Sequence, residues 1–388
     1  MAKILVTHPR LGFGGSEATV LWTVQALCGQ HDVTLLTTEA EDLDQLNDFA
    51  GTDLADSDFE LRRTPHPIPL DRVDRFAELK GRLFARACRR EAKEHDLTIS
   101  GYNVTRVNSP AIQMIADFSF LSHIRQQVTV QRSGLEQAWT GRRGLGALYR
   151  GLLDVLLPRP GLDWTQNTVV ANSRWTRAIL QDHLDVEAEV IYPPVPPAPT
   201  TEGVEDRELG FVALGRVVQE KRTHLAVEIL QSVRDAGYPV ELTILGPEGE
   251  PDYGAELRAT VDARGDWVEW RGRVSEQEKR RQLAKNPYAI ATRSHEPFGI
   301  AVAEVLQAGC IPFVPDEGGQ TEIVDDDRLM YDSPTEAVDR IEAVITDEDL
   351  RSTLEHALDE RRGRFSADRY QREIAATADR TLKEASSP

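Results

Sequence analysis

The sequence predicts an α/β chain made of two doubly wound parallel-sheet domains in tandem. Three observations carry that expectation. Short apolar runs of strand length alternate with segments of helical period through both halves, the pattern of a parallel sheet flanked by helices. The 388 residues suffice for two domains of ordinary size. A Pro-rich stretch, Tyr192-Pro193-Pro194-Val195-Pro196-Pro197-Ala198-Pro199, interrupts the pattern near the middle, because proline lacks a backbone donor and fits neither a helix interior nor a central strand. The first domain is therefore placed at residues 1–195 and the second at 205–365.

In the first half, residues 3–8 read as the opening strand and 9–15 as a loop. Ser16 is placed to cap a helix whose apolar stripe is Val20, Leu21, Val24, Leu27 and Cys28. Residues 33–38, 97–100, 112–116, 128–130 and 169–171 follow as strands, and Asn172-Ser173 precedes a helix over 174–180. The second half restarts with strands at 211–214, 241–245, 267–270, 288–292 and 311–314. Between them lie helices at 223–234, near 255–264, at 277–284 and at 299–308. A last helix, about 368–383, carries Tyr370, Ile374, Ala378 and Leu382 at fourfold spacing. Two such sheets in tandem are expected to face a cleft at the carboxyl ends of their strands, where ligands of these sheets bind.

Composition narrows the function classes. Asp and Glu number 64 against 45 Lys and Arg, a net charge of −19, which counts against general nucleic-acid binding. Only seven of the basic residues are Lys, and the Arg bias with an acidic excess suits a halophilic protein kept soluble by surface charge. Cys28, Cys88 and Cys310 are isolated and odd in number, so they are read as buried small hydrophobes rather than a disulfide or metal set. No run reaches the roughly 18 apolar residues of a membrane-spanning helix, and the N-terminus carries no signal-peptide pattern. A soluble, cytoplasmic protein is expected. Yet residues 61–93 hold ten basic side chains against four acids, and 118–160 hold six Arg against two. These stretches are candidates for peripheral contact with an anionic membrane surface, and ion-paired helix faces would read the same way.

Four motifs stand at expected strand ends. In His295-Glu296-Pro297-Phe298-Gly299-Ile300-Ala301-Val302-Ala303-Glu304, Pro297 suits the first turn of a helix, so Glu296 projects beyond its N-terminus while Glu304 lies about two turns inside. The two carboxylates can hold hydroxyls at separate points of an elongated polar ligand. The N–H groups of Phe298, Gly299 and Ile300, with the positive helix end, favour a diphosphate between them. Arg216 and Lys221 in Gly215-Arg216-Val217-Val218-Gln219-Glu220-Lys221 can converge on the same diphosphate. Gly14 and Gly15, in Gly12-Phe13-Gly14-Gly15, permit close approach of a phosphate or sugar. A dinucleotide fingerprint is also conceivable there, except that Glu17 occupies its third small position. Gly318-Gly319 in Asp316-Glu317-Gly318-Gly319-Gln320-Thr321-Glu322 permits close approach again, as a plain turn would. Asp325-Asp326-Asp327 reads as a solvated turn rather than a metal pair.

Together these four elements resemble the retaining glycosyltransferases of the large family 4 type, and the resemblance spans nearly the whole chain. Glu296 and Glu304 are similar to that family's Glu, seven residues, Glu motif. Gly215-Arg216 with Lys221 is similar to its diphosphate motif, Gly14-Gly15 to its N-terminal glycine loop, and Gly318-Gly319 with Glu322 to its Gly-Gly-x-x-Glu. The resemblance implies the GT-B fold, two Rossmann-like domains, with the last helix (about 366–388) packing back on the first. It implies that Arg216 and Lys221 hold the donor diphosphate, Glu304 the ribose hydroxyls, Glu296, as a catalytic residue, the donor sugar, and the amides of Phe298, Gly299 and Ile300 the sugar or phosphate, with no metal required.

A narrower resemblance is to the mannosyltransferases that extend dolichol-linked oligosaccharides with α-1,2-mannose. Asn172-Ser173-Arg174-Trp175-Thr176 and Val190-Ile191-Tyr192-Pro193-Pro194 carry it. Where that group has an acceptor-side His, this chain reads Ile115-Ala116-Asp117-Phe118-Ser119, so either Asp117 takes the catalytic place or His123 supplies it, and Asp117 as a plain N-cap or loop acid would read the same way. The expected partners are a GDP- or UDP-linked sugar, favoured as GDP-mannose, and a dolichol- or polyprenyl-linked glycan or other alcohol, with no nucleic acid. A nucleotide-sugar epimerase and a catalytically silent sugar-nucleotide-binding subunit are the alternatives. The segment 142–157, mixing Arg with Leu and Tyr, is either an interfacial anchor for a lipid-linked acceptor or a core-facing helix.

Overall fold

The computed structural model describes residues 1–64, 77–121, 154–155, 157, 161, 163–196 and 209–386. The chain forms two compact units. One comprises Met1–Asn172, Arg177–Ile191 and Tyr370–Pro388, the other Ser173–Thr176 and Tyr192–Arg369. His123, the expected strand at 128–130 and nearly all of the Arg- and Leu-rich segment at 142–157 lie outside the described residues.

In the first unit the strands are β1 (Lys3–Thr7), β2 (Arg10–Leu11), β3 (Asp32–Thr37), β4 (Glu39–Ala40), β5 (Glu60–Arg63), β6 (Leu97–Ser100), β7 (Ala111–Ile115), β8 (Thr168–Ala171) and β9 (Glu189–Val190). Seven of them make one sheet in the order β5-β3-β1-β6-β7-β8-β9, and the strands pair in parallel. Ile4 stands opposite both Val33 and Leu97. Every residue of β1 after Lys3 is buried, as expected of a strand covered on both faces, which is why it reads as a continuous apolar run. The helix Ala367–Ser386 supplies Tyr370, Ile374 and Ala378, all fully buried, and Tyr370 Oη meets the Thr23 hydroxyl at 2.6 Å.

Several expectations for this unit need correction. Ser16 does not cap the first helix, which runs Gly15–Cys28 from an N-cap at Gly14; its hydroxyl donates instead to Glu17 Oε2 at 2.7 Å. Cys28 is only partly buried, whereas Cys88 and Cys310 are buried as expected. The supposed loop at 9–15 contains β2, which pairs with β4. The basic stretch at 61–93 is partly spent on internal ion pairs. Arg62 bonds Glu91 at 2.5 Å and Glu60 at 2.8 Å. Arg82, buried, bonds Glu78 and Asp154 at 2.6 Å each and the Leu157 carbonyl at 3.0 Å.

The second unit contains β10 (Gly210–Leu214), β11 (Glu241–Leu245), β12 (Val268–Trp270), β13 (Tyr288–Ile290), β14 (Ile311–Pro315) and β15 (Met330–Tyr331). They form one sheet in the order β12-β11-β10-β13-β14-β15. Its core is anchored by Phe211 and Tyr288, stacked at 5.0 Å, with Phe313 beside them. Burying each such ring stabilises the unit by about 1.5–3 kcal/mol. Two further helices, Pro334–Thr346 and Glu348–Arg361, follow β15 and are capped by Ser333 and Asp347. Among the described residues no helix is long and apolar enough to cross a membrane.

Candidate functional site

In the second unit the strand order reverses between β10 and β13, and the carboxyl edge at such a reversal is where open α/β sheets bind ligands. A cavity lies there, lined by Arg216, Lys221, Arg293, Glu296, Gly299 and Gln320 among others. The chain leaves β10 through Gly215 with φ 139° and leaves β11 through Gly246 with φ 147°. A Cβ on Gly246 would run into the Gly215 carbonyl, so the two strand ends come this close only with glycine at 246. The turn Gln219–Lys221 ends on left-handed Arg222, and the Thr292 hydroxyl donates to the carbonyls of Lys221 and Arg222 at 2.8 and 3.0 Å. That pair of bonds fixes Lys221 against the end of β13. Arg216 is exposed at the rim of the cavity.

Glu296 is held from two sides. Its backbone forms a parallel bridge with Gly318, and Gly319 N–H donates to its carbonyl at 2.7 Å. A Cβ on Gly318 would stand 2.6 Å from that carbonyl oxygen, and one on Gly319 would collide with the Pro297 carbonyl. The close approach that Gly318-Gly319 permits is thus to the chain's own backbone. The Glu296 side chain, 13 % exposed, accepts from Lys221 Nζ at 2.5 Å on Oε2 and from Arg293 Nη1 at 3.3 Å on Oε1. Burial opposes its ionisation, but Lys221 and Arg293 outweigh that and hold the carboxyl below its ordinary value. Arg293 also faces Glu220 at 3.7 Å.

The helix after Glu296 starts later than its sequence suggests. It spans Ile300–Gln307, with Gly299 as a left-handed N-cap at φ 102°, so Pro297 lies outside it and Glu304 sits in its second turn, about 6 Å from Ile300 along the axis. Glu304 accepts from Lys279 Nζ at 2.9 Å, and Lys279 also meets Glu276 at 2.7 Å. Burial works against the charge on Lys279, yet the two carboxylates raise its pKa overall. Glu322 is occupied structurally: it accepts from the backbone N–H groups of Arg174 and Trp175 at 3.0 and 2.8 Å and from Tyr192 Oη at 2.8 Å. Burial and that carboxylate push the Tyr192 phenol up to about 12.

Gly14, Gly15 and Asp117 belong to the first unit. A Cβ on Gly14 would lie 2.9 Å from the Glu17 carboxyl carbon. Ser16 links Glu17 to buried His8, whose Nε2 is 3.2 Å from the Ser16 hydroxyl. His8 packs edge-on against Tyr102, and Tyr102 Oη donates to Asp117 at 2.8 Å. Asp117 also accepts from Asn103 Nδ2 at 2.7 Å and from Ser119 N–H at 2.8 Å. Burial lowers the pKa of His8, against the opposing pull of Glu17 and the Arg10 carbonyl; burial and Asp117 raise that of Tyr102.

Sequence reasoning missed Arg293 and Lys279. Both had a faint signal: Arg293 lies three residues before Glu296, and Lys279 is one of seven lysines in the chain. Among the described residues, no group of three or more His, Cys, Asp and Glu is arranged to hold a metal ion.

Residues 200–361 match the family model described as "Glycosyl transferases group 1". No curated protein matches the chain. Among solved structures, sucrose-phosphate synthase from Thermosynechococcus elongatus is similar at TM-score 0.72 and 16 % identity, over 100 % of both chains. The Anabaena protein HepE, in complex with UDP and glucose, is similar at TM-score 0.68 and 16 % identity, over 98 % of this chain and 100 % of that one. WaaG, a glycosyltransferase involved in lipopolysaccharide biosynthesis, is similar at TM-score 0.68 and 13 % identity, over 96 % and 98 %. The fold is GT-B, and with the match over residues 200–361 it supports a group 1 glycosyltransferase.

Proposed function

We propose that the protein is a retaining glycosyltransferase that moves a hexose from a nucleoside-diphosphate sugar to an alcohol acceptor, with a lipid-linked glycan at the cytoplasmic membrane face as the favoured acceptor. One observation carries the reading: a largely buried carboxylate, Glu296, is clamped by Lys221 and Arg293 at the carboxyl edge of a sheet reversal, next to exposed Arg216. Arg216 and Lys221 take the diphosphate. Negative charge grows on that group as the glycosidic bond breaks, so fixed cations and the first-turn N–H groups of the helix at Ile300, with Phe298 and Gly299 before it, stabilise the transition state. Glu296 accepts hydroxyls of the sugar and Glu304 those of the ribose. Asp117, with three donors already on it, serves the acceptor side as a positioning residue rather than a reacting one.

GDP-mannose is the donor favoured by the resemblance of segments 172–176 and 190–194, and HepE, solved with UDP-glucose, brings a second donor into the test. Thermal shifts of wild type and Glu304→Ala with UDP, GDP, ADP, TDP and inorganic pyrophosphate, in dilute and in molar salt, test the reading. A nucleotide at a hundred times its dissociation constant adds about 2.7 kcal/mol of apparent stability. We expect one nucleotide to do so in wild type, to lose most of the effect in Glu304→Ala, and to be unaffected by EDTA, while pyrophosphate shifts both proteins alike. No shift by any diphosphate in wild type overturns the reading.

A further inference from the structure

The Lys221–Glu296 pair poses a problem that the proposed donor site must solve. The same ammonium group that would hold a diphosphate already neutralises Glu296 at 2.5 Å. A diphosphate carries more charge than one carboxylate and is the stronger partner for that lysine. When Lys221 turns to it, Glu296 Oε2 is released for ligand hydroxyls, but a largely buried carboxylate is left with half its compensation.

We propose that Arg293 is the positioning residue that retains Glu296 in place once a diphosphate has drawn Lys221 away. Three observations support this. Arg293 reaches Oε1, the oxygen that Lys221 does not use. It lines the same cavity. Its other terminal nitrogen faces Glu220, one residue before Lys221, at 3.7 Å, which gives the guanidinium a second anionic neighbour beside Glu296. The charged groups around Glu296 are otherwise committed or peripheral. His295 turns to Glu317 at 2.5 Å, and Arg216 is exposed at the rim. The proposal rests on the reading of this cavity as a diphosphate site, and it makes the exchange of Lys221 between two anions part of ligand binding.

The consequence is a proton. In wild type the diphosphate removes one cation from Glu296 and Arg293 keeps it ionised. In Arg293→Met the same event leaves a largely buried carboxylate with no cation on it, and Glu296 takes up a proton on binding. Calorimetric titration with the nucleoside diphosphate that binds wild type, or with inorganic pyrophosphate, at pH 6 in two buffers of different ionisation enthalpy counts the protons taken up. Protons belonging to the ligand cancel in the difference between variants. We expect Arg293→Met to take up as much as about one proton per site more than wild type, Arg293→Lys to return most of the way to wild type, and Arg293→Met/Glu296→Gln to lose the excess. Equal proton counts in wild type and Arg293→Met, with binding intact, overturn the proposal and leave the donor site standing. A wild type that binds neither probe overturns the donor-site reading and this inference with it. A purely structural arginine would change stability without changing the proton count.

Discussion

Asp117 and Glu296 are the two acids singled out as catalytic from sequence, one in each compact unit, and their surroundings differ in kind. Asp117 is ringed by a phenol, an amide and a backbone N–H. None of those donors carries charge, and the Asn103 amide also donates to the Ser119 hydroxyl at 3.1 Å. Glu296 is ringed by cations, Lys221 and Arg293, both on side chains that line a cavity. Neutral donors built into the backbone and core fix a carboxylate for good, whereas an ammonium group can be traded for another anion. The contrast teaches that a conspicuous acid is better judged by whether its partners can leave than by how well it is bonded.

That contrast can be broken in three ways. The largest effect is expected for Glu296→Gln, which keeps the shape but removes the charge. Turnover should fall about 10²- to 10³-fold, while nucleoside diphosphate binds at least as tightly because Lys221 is freed. Steady-state kinetics beside a binding titration checks both. Unchanged turnover would put Glu296 on the same footing as Asp117.

Asp117→Ala should act on stability instead. It takes the acceptor from three donors, of which the Asn103 amide keeps the Ser119 hydroxyl and Ser119 is exposed, at a cost of about 1 kcal/mol, which calorimetry would read as a lower Tm with turnover below the transition reduced only modestly. An unaltered Tm with turnover abolished would reverse the assignment and make Asp117 the reacting group.

The smallest effect is a pH dependence from His8. Its folded-state pKa lies below the ordinary 6.5 because burial disfavours the imidazolium, so between the two values the unfolded chain binds more protons. Stability from this group is therefore complete above about pH 6.5 and declines as pH falls below it. His8→Gln should flatten that decline in denaturant titrations at pH 5.5 and 7.5. If both proteins lose stability equally, the neighbouring Ser16 and Glu17 are accommodating the charge.

Local signals made much of this legible. Gly215-Arg216, Lys221 and Glu296 were found because glycine, cations and carboxylates recur at strand ends, and the strands themselves were apolar runs. What stayed hidden depends on contacts remote in sequence. Arg293 and Lys279 gain meaning only from Glu296 and Glu304. The helix at Ile300 begins three residues after Pro297 because Gly318 holds Glu296 in a strand-like bridge, which no helix-start rule anticipates. Ser16 looked like a cap, but the backbone at Gly14 is already extended, with φ −140° and ψ 165°, and takes that place. The helices Pro334–Thr346 and Glu348–Arg361 could have been read: Ser333-Pro334 and Asp347 are ordinary start signals.

Glu322 receives bonds from residues 130 and 148 positions earlier in the chain, at Tyr192 and Arg174, and so clasps both places where the polypeptide enters the second unit. The first unit in turn draws on Tyr370 and the residues after it. During synthesis a domain usually folds once its own residues have left the ribosome, N-terminal first. Here part of the first unit follows the whole of the second in sequence, so the second unit is the first whose residues have all emerged.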